Sequence, residues 1–151
     1  AQGYENKTDL NRGNARRIIF RTSKKIGKSL GIEKNITFIP NVHDLHIPYL
    51  YHLGDIFVSC SHWEGFGMPM LEAQACGLPA LGYNICSHQE VASNKSFLAA
   101  ENDIWTIAEG VKQLLTNLDY YEKASIEARK FAEEYSWDKI TKQYMEVIRR
   151  I

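Results

Sequence analysis

Two carboxylates, Glu64 and Glu72, stand eight positions apart in the run Glu64-Gly65-Phe66-Gly67-Met68-Pro69-Met70-Leu71-Glu72-Ala73. Between them lie two glycines and then a proline that leads into a helix-like stretch. Glycine lets backbone N–H groups approach a ligand closely. Proline suits the first helical position, where its missing donor costs nothing. The new helix N-terminus offers unpaired N–H groups and the positive end of a dipole. Such a loop is a cradle for an anion, with a hydrogen-bond acceptor on either side. Carboxylates repel phosphate, so the N–H groups suit phosphate and the two glutamates suit something else. Paired sugar hydroxyls fit them, because an ionised carboxylate accepts two donors at once. The pattern points to a phosphorylated, hydroxyl-rich ligand.

The elements that must hold this loop are readable from periodicity. Asp55–Cys60 is a nearly continuous apolar strand, as in a parallel sheet covered on both faces. The helix Pro69–Cys76 follows the loop and is closed by Gly77; Pro79–Tyr83 is the next strand. Ser87–Ala92 reads as one helical turn, with His88 and Glu90 equally as its caps, and Ser96–Ala99 as a weak strand. Upstream, residues 1–10 read as loop and Asn11–Leu30 as a helix with Ile18, Ile19, Ile26 and Leu30 forming a broken apolar stripe, capped by Gly31. Asn35–Pro40 is a β-branched run stopped by proline, hence a strand, and Leu45–Leu53 a short helix. Three helices finish the chain. Ile104–Leu115 carries Ile104, Ile107, Ala108, Val111, Leu114 and Leu115 on one face, Leu118–Tyr135 follows, and Ser136 caps Trp137–Ile151. Strands alternating with helices make this a parallel α/β domain, and such sheets bind ligands outside the carboxyl ends of their strands, where the Gly-rich loop lies.

Composition sets the outer limits. A chain of 151 residues with 44% hydrophobic residues can build one packed core, as one domain or part of one. Its 18 basic and 18 acidic residues cancel, which argues against a nucleic-acid partner. The cluster Arg12, Arg16, Arg17, Arg21, Lys24, Lys25 and Lys28 has helical spacing and reads as a solvated face. Three cysteines, Cys60, Cys76 and Cys86, form no even framework and fit a reducing cytoplasm. No apolar stretch is long enough to span a bilayer. His43, His46, His52, His62 and Cys60 match no zinc spacing, so no metal is expected. A Cys60–His62 nucleophile pair lacks an orienting third group; His62, directly before the motif, is placed to line the pocket.

The residues from Glu64 to Ala73 resemble the E-x7-E motif of retaining nucleotide-sugar glycosyltransferases of the GT-B arrangement (family 4, or group 1), which have two Rossmann-like domains. The likeness runs along nearly the whole chain. Ile36-Thr37-Phe38 with Asn41-Val42, and Tyr49–Val58, resemble the segments that flank the donor base and lead into the motif. Ala75-Cys76-Gly77-Leu78-Pro79, Gln89-Glu90-Val91 and Tyr135-Ser136-Trp137 resemble the family's A-x-G-x-P segment, Pro-Glu-Val turn and entry to the last helix.

The resemblance implies a Rossmann-like three-layer α/β domain with a parallel sheet, the partial C-terminal, donor-binding half of such an enzyme. Glu64 would be the catalytic contact to the donor sugar. Gly65, Phe66, Gly67 and Met68 would meet the sugar and diphosphate, Glu72 the ribose, and Asn41 and Val42 the base. A nucleotide-diphosphate sugar would be the substrate, with no cofactor and no metal. The acceptor, a glycan, lipid or polysaccharide precursor, would sit on a missing N-terminal domain. The full-length protein would be cytoplasmic, with room for peripheral association at the inner membrane face. The family's diphosphate-gripping Arg and Lys lie before the position of Ala1, so the isolated piece is expected to be inactive. Two rivals remain. A non-catalytic nucleotide-sugar module is disfavoured by the intact carboxylate pair, and a response-regulator-like domain by the lack of an acidic cluster.

Overall fold

The structure, a computed structural model, describes residues 20–150. The expected loop over 1–10, the start of the first helix with Arg12, Arg16, Arg17, Ile18 and Ile19, and the terminal Ile151 lie outside the described residues. The chain divides into one unit that ends at Val42 and a second that begins at His43.

In the first unit a helix over 20–29 (α1) exposes Arg21, Lys24, Lys25 and Lys28, as a solvated basic face should. It ends at Gly31, where the Gly31 N–H bonds the Lys28 carbonyl at 3.1 Å and the Ile32 N–H the Gly27 carbonyl at 3.0 Å. The strand expected over Asn35–Pro40 does not form. Glu33–Asn35 is a 3₁₀ turn, and residues 36–40 join no ladder although Ile36 is extended (φ −110°, ψ 120°). Strand backbone needs a neighbour for its N–H and C=O groups, and no segment among the described residues supplies one. The β-branched pattern is used for packing instead: the Phe38 ring meets Phe20 of α1 edge-on at 4.7 Å.

The second unit opens with a 3₁₀ turn, Asp44–His46, and then runs α2 (Ile47–His52), β1 (Phe57–Ser59), α3 (Met68–Ala75), β2 (Ala80–Tyr83), α4 (His88–Val91) and β3 (Phe97–Ala99). It closes with α5 (Ile104–Thr116), α6 (Leu118–Ala132), a 3₁₀ turn at Glu133–Tyr135 and α7 (Trp137–Ile148). The sheet is parallel in the order β1-β2-β3, with Val58 opposite Leu81 and Leu81 opposite Phe97. Parallel neighbours cannot be joined by tight hairpins, so a helix crosses between each pair.

The sheet lies between two apolar layers. Leu81, Tyr83 and Ala99 pack with Ile107, Leu114 and Ala124 of α5 and α6, while Ala80 packs with Met70 of α3 and Val91 of α4. All four residues of β2 are buried, as an apolar central strand should be. β1 is shorter than the expected Asp55–Cys60, and Val58 is 41% exposed, because within this sheet β1 is an edge with one partner only. The buried stripe of α5 is likewise narrower than its sequence suggests. Ile107, Gly110 and Leu114 face the core, whereas Leu115, about 100° further round the helix, and Ile104 in its first turn are exposed. Asn117 ends α5 and caps α6, its side chain accepting the Tyr120 N–H at 3.0 Å. Ser136 stands at the N-cap of α7 with extended backbone, but its hydroxyl makes no capping bond.

Candidate functional site

β1 delivers the chain to the carboxyl edge of the sheet, and residues 60–67 carry it into α3. Gly67 is the N-cap in the left-handed region (φ 87°, ψ 37°). A methyl group there would also lie 3.2 Å from both His88 Cδ2 and Val91 Cγ2, so conformation and space both call for glycine. α3 then starts one residue earlier than expected, with Met68 first and Pro69 second, and Gly77 closes it at φ 82°. The carbonyls of the turn are occupied. Phe66 C=O accepts from Ser87 Oγ at 2.7 Å, and Gly67 C=O accepts the Met70 N–H at 3.0 Å. The N–H groups of Gly65, Phe66, Gly67 and Met68 find no backbone partner among the described residues. This is a donor-rich turn at a helix N-terminus, and its natural guest is an anion.

The two carboxylates take different surroundings. Glu64 is half-buried at the start of the turn and joins no ion pair among the described residues. Glu72, one turn into α3, faces α2 and accepts the Tyr51 hydroxyl at 3.0 Å through Oε2. Tyr51 and Glu72 border a cleft of about 530 Å³ between α2 and α3, with Asp44, Ile47 and Pro48 opposite Ala75 and Cys76. Burial first, and then the bond to Glu72 and its charge, push the Tyr51 phenol well above its ordinary range. Tyr51 therefore stays a donor and leaves the second Glu72 oxygen for a ligand.

Phe66 and Met68 could have packed the core while their backbone served the loop. Instead they are 42% and 51% exposed and line a groove of about 600 Å³ with Tyr135, Trp137, Ile140 and Tyr144. The space beneath the turn is filled by α4, so the side chains that flank Gly67 point outward. Gly65 is exposed at the head of the turn. Asn41 (exposed, φ 54°) and Val42 (half-buried) close the first unit and are described with it. The structure thus gathers Glu64 to Met68 at one turn and sets Glu72 beside it on the α2 side.

Several residues of the site had no signature in the motif. Tyr51 holds Glu72, Ser87 ties down Phe66, and His88 is packed under Gly67. His62 was expected to line the pocket; its Nδ1 pairs with Glu101 Oε1 at 2.7 Å, and its ring lies 5.6 Å from that of Tyr83. The carboxyl ends of all three strands thereby meet. Cys60, Cys76 and Cys86 are free thiols. Among the described residues no three His, Cys, Asp or Glu side chains gather as metal ligands, and no helix is long and apolar enough to cross a membrane.

The family model described as glycosyl transferases group 1 matches residues 20–131, which contain the whole run from Glu64 to Ala73. The chain belongs to the glycosyl transferases group 1 family. It is 35% identical over 108 residues to an O-antigen chain mannosyltransferase B of Escherichia coli, covering 72% of this chain and 28% of that protein. It is 30% identical over 129 residues to an uncharacterized glycosyltransferase of Haemophilus influenzae, covering 83% of this chain and 36% of the relative. The chain therefore spans about a third of the length of these curated relatives. Among solved structures it is similar to a sucrose-phosphate synthase from Thermosynechococcus elongatus, with a TM-score of 0.77 at 19% identity, covering 86% of this chain and 33% of that one. It is also similar to the C-terminal domain of a glycosyl transferase group 1 family protein from Francisella tularensis, with a TM-score of 0.67 at 24% identity, covering 81% and 65%. The group 1 chain thus has the α/β, Rossmann-like fold of GT-B glycosyltransferases, with a parallel sheet.

Proposed function

We propose that this group 1 chain is the donor-binding part of a glycosyltransferase that moves a sugar from a nucleotide-diphosphate sugar to an acceptor with retention of configuration. The observation that carries this reading is the turn from Gly65 to Met68, whose N–H groups find no backbone partner and which lies between Glu64 and Glu72. In the transfer, the bond from the anomeric carbon to a diphosphate oxygen breaks and negative charge grows on that oxygen. Fixed N–H groups and a helix N-terminus are aimed at such charge without having to reorganise. Glu64, half-buried and free of ion pairs among the described residues, would accept hydroxyls of the transferred sugar. Glu72, fixed by Tyr51, would accept the ribose hydroxyls. Asn41 and Val42 would lie near the base.

No metal has a part in this mechanism; the N–H groups take its place at the diphosphate. The acceptor, a glycan or lipid, would be held by an N-terminal domain of the full-length protein, which would work in the cytoplasm or at the inner membrane face. The E. coli relative's name, O-antigen chain mannosyltransferase B, makes mannose the first donor sugar to test and polysaccharide synthesis the first setting. Calorimetry of the full-length protein with UDP-, GDP- and ADP-sugars tests the reading. One donor should bind, and Glu72→Ala should weaken it about tenfold or more, the loss of a hydrogen bond to a charged group. Absence of binding by all three donors would overturn it.

A further inference from the structure

From His43 to Val111 the chain has a single Lys or Arg, Lys95. Lys95 precedes β3, at the amino end of the sheet, with its ammonium 5.9 Å from the centre of the Tyr120 ring. At the carboxyl edge of this stretch, positive charge can come only from histidine. His62 is already tied to Glu101 at 2.7 Å. His88 is placed differently. It is 1% exposed, and its Nδ1 meets the Tyr83 carbonyl at 2.8 Å, so that nitrogen carries the proton.

Gly67 makes room for the ring, and Gly82 lies beside it in ordinary contact. A methyl group on Gly82 would lie 3.4 Å from Nδ1, and one on Gly67 would lie 3.2 Å from Cδ2 and 3.6 Å from Nε2. The Cδ2–Nε2 edge therefore faces the turn that starts α3. Nε2 has no hydrogen-bond partner among the described residues. Around the ring stand Gly82 and the Tyr83 backbone from β2 and Gly67 from the loop. Burial holds the phenol of Tyr83 neutral, and the carboxylate of Glu90, on the histidine's own helix, is exposed.

We propose that His88 is a further contact of the donor's diphosphate: Nε2 takes up a proton from solvent as the ligand binds and donates it in a hydrogen bond to a phosphate oxygen. The imidazolium adds a full charge where the turn offers only dipoles. A charge in this setting is costly alone and favourable once paired with an anion. The inference rests on the donor-site reading above.

The test labels histidine with ¹⁵N in the full-length protein and titrates it with inorganic pyrophosphate and with UDP, GDP and ADP. Affinity is measured in parallel for the wild type, His88→Asn and His88→Gln. Asparagine keeps a donor for the Tyr83 carbonyl but stops short of the Nε2 position; glutamine reaches it with a neutral amide. The His88 Nε2 resonance should move from the unprotonated to the protonated range on saturation. His88→Asn should bind about 10- to 100-fold more weakly, as expected for a lost charge-assisted hydrogen bond, and His88→Gln should recover part of that loss. If the variants do not fold, the wild-type resonance alone decides. Ligand binding with an unmoved Nε2 resonance, or with wild-type affinity in His88→Asn, overturns the role of His88 and leaves the donor site standing. Failure of the wild type to bind any of these ligands overturns the donor site itself.

Discussion

Glu72 and Tyr51 show how one hydrogen bond can set the role of a motif residue. The carboxylate alone could turn several ways from α3, and the 3.0 Å bond from Tyr51 holds it in the α2–α3 cleft. The bond also has a pH signature. Burial and Glu72 raise the folded-state pKa of Tyr51 above its unfolded value, so folding favours the protonated phenol. The resulting stability is fully present below about pH 10, the ordinary tyrosine value, and is lost as pH rises beyond it. Urea denaturation across that range should show stability falling with pH, and Tyr51→Phe should flatten part of the fall. An unchanged slope in the variant would remove Tyr51 from this role. The phenol is invisible in the motif because it lies 21 residues upstream on another helix. The sequence shows which carboxylate exists; its partner depends on how α2 and α3 pack.

At the scale of elements, the loop is held from below by α3 and α4. Gln74 of α3 is completely buried, donates to the Val91 carbonyl at 2.6 Å and accepts the Ser93 N–H at 2.7 Å. It ties the motif helix to the chain leaving α4, the element that supports Gly67 and Phe66. Gln74→Leu would leave a buried carbonyl and N–H unpaired, at about 1–3 kcal/mol each. Chemical denaturation should show a loss of about 2 kcal/mol or more, with the donor affinity of the remaining folded protein also reduced. A variant as stable as the wild type would mean that water replaces the amide.

Most elements of this unit were legible because apolar period and Gly or Pro punctuation agree, as in the buried β2 and the Gly77 stop of α3. The two strand misreadings share one cause. Residues 36–40 have strand composition without a strand partner, and Val58 has core composition at an edge. A strand is a property of pairs, and composition reports only one member.

For the molecule as a whole, chemistry collects where the three strands end. Glu64 and His62 follow β1, Tyr83 ends β2 and Glu101 follows β3, with His88 and Ser87 brought in by α4. The motif itself was readable because its chemistry is local: glycines, a helix start and two carboxylates within a single run. The pairings around it, such as His62 with Glu101 and Phe66 with Tyr135, join residues far apart in the sequence and come only with the fold. Central to the proposed function is that the turn from Gly65 to Met68 holds the diphosphate of the donor. Amide spectra of the full-length protein, recorded with and without the nucleotide-diphosphate sugar that binds it, test this most directly. The Gly65, Phe66, Gly67 and Met68 amides should shift and gain protection from exchange on saturation. Binding that leaves these four amides unmoved would contradict it.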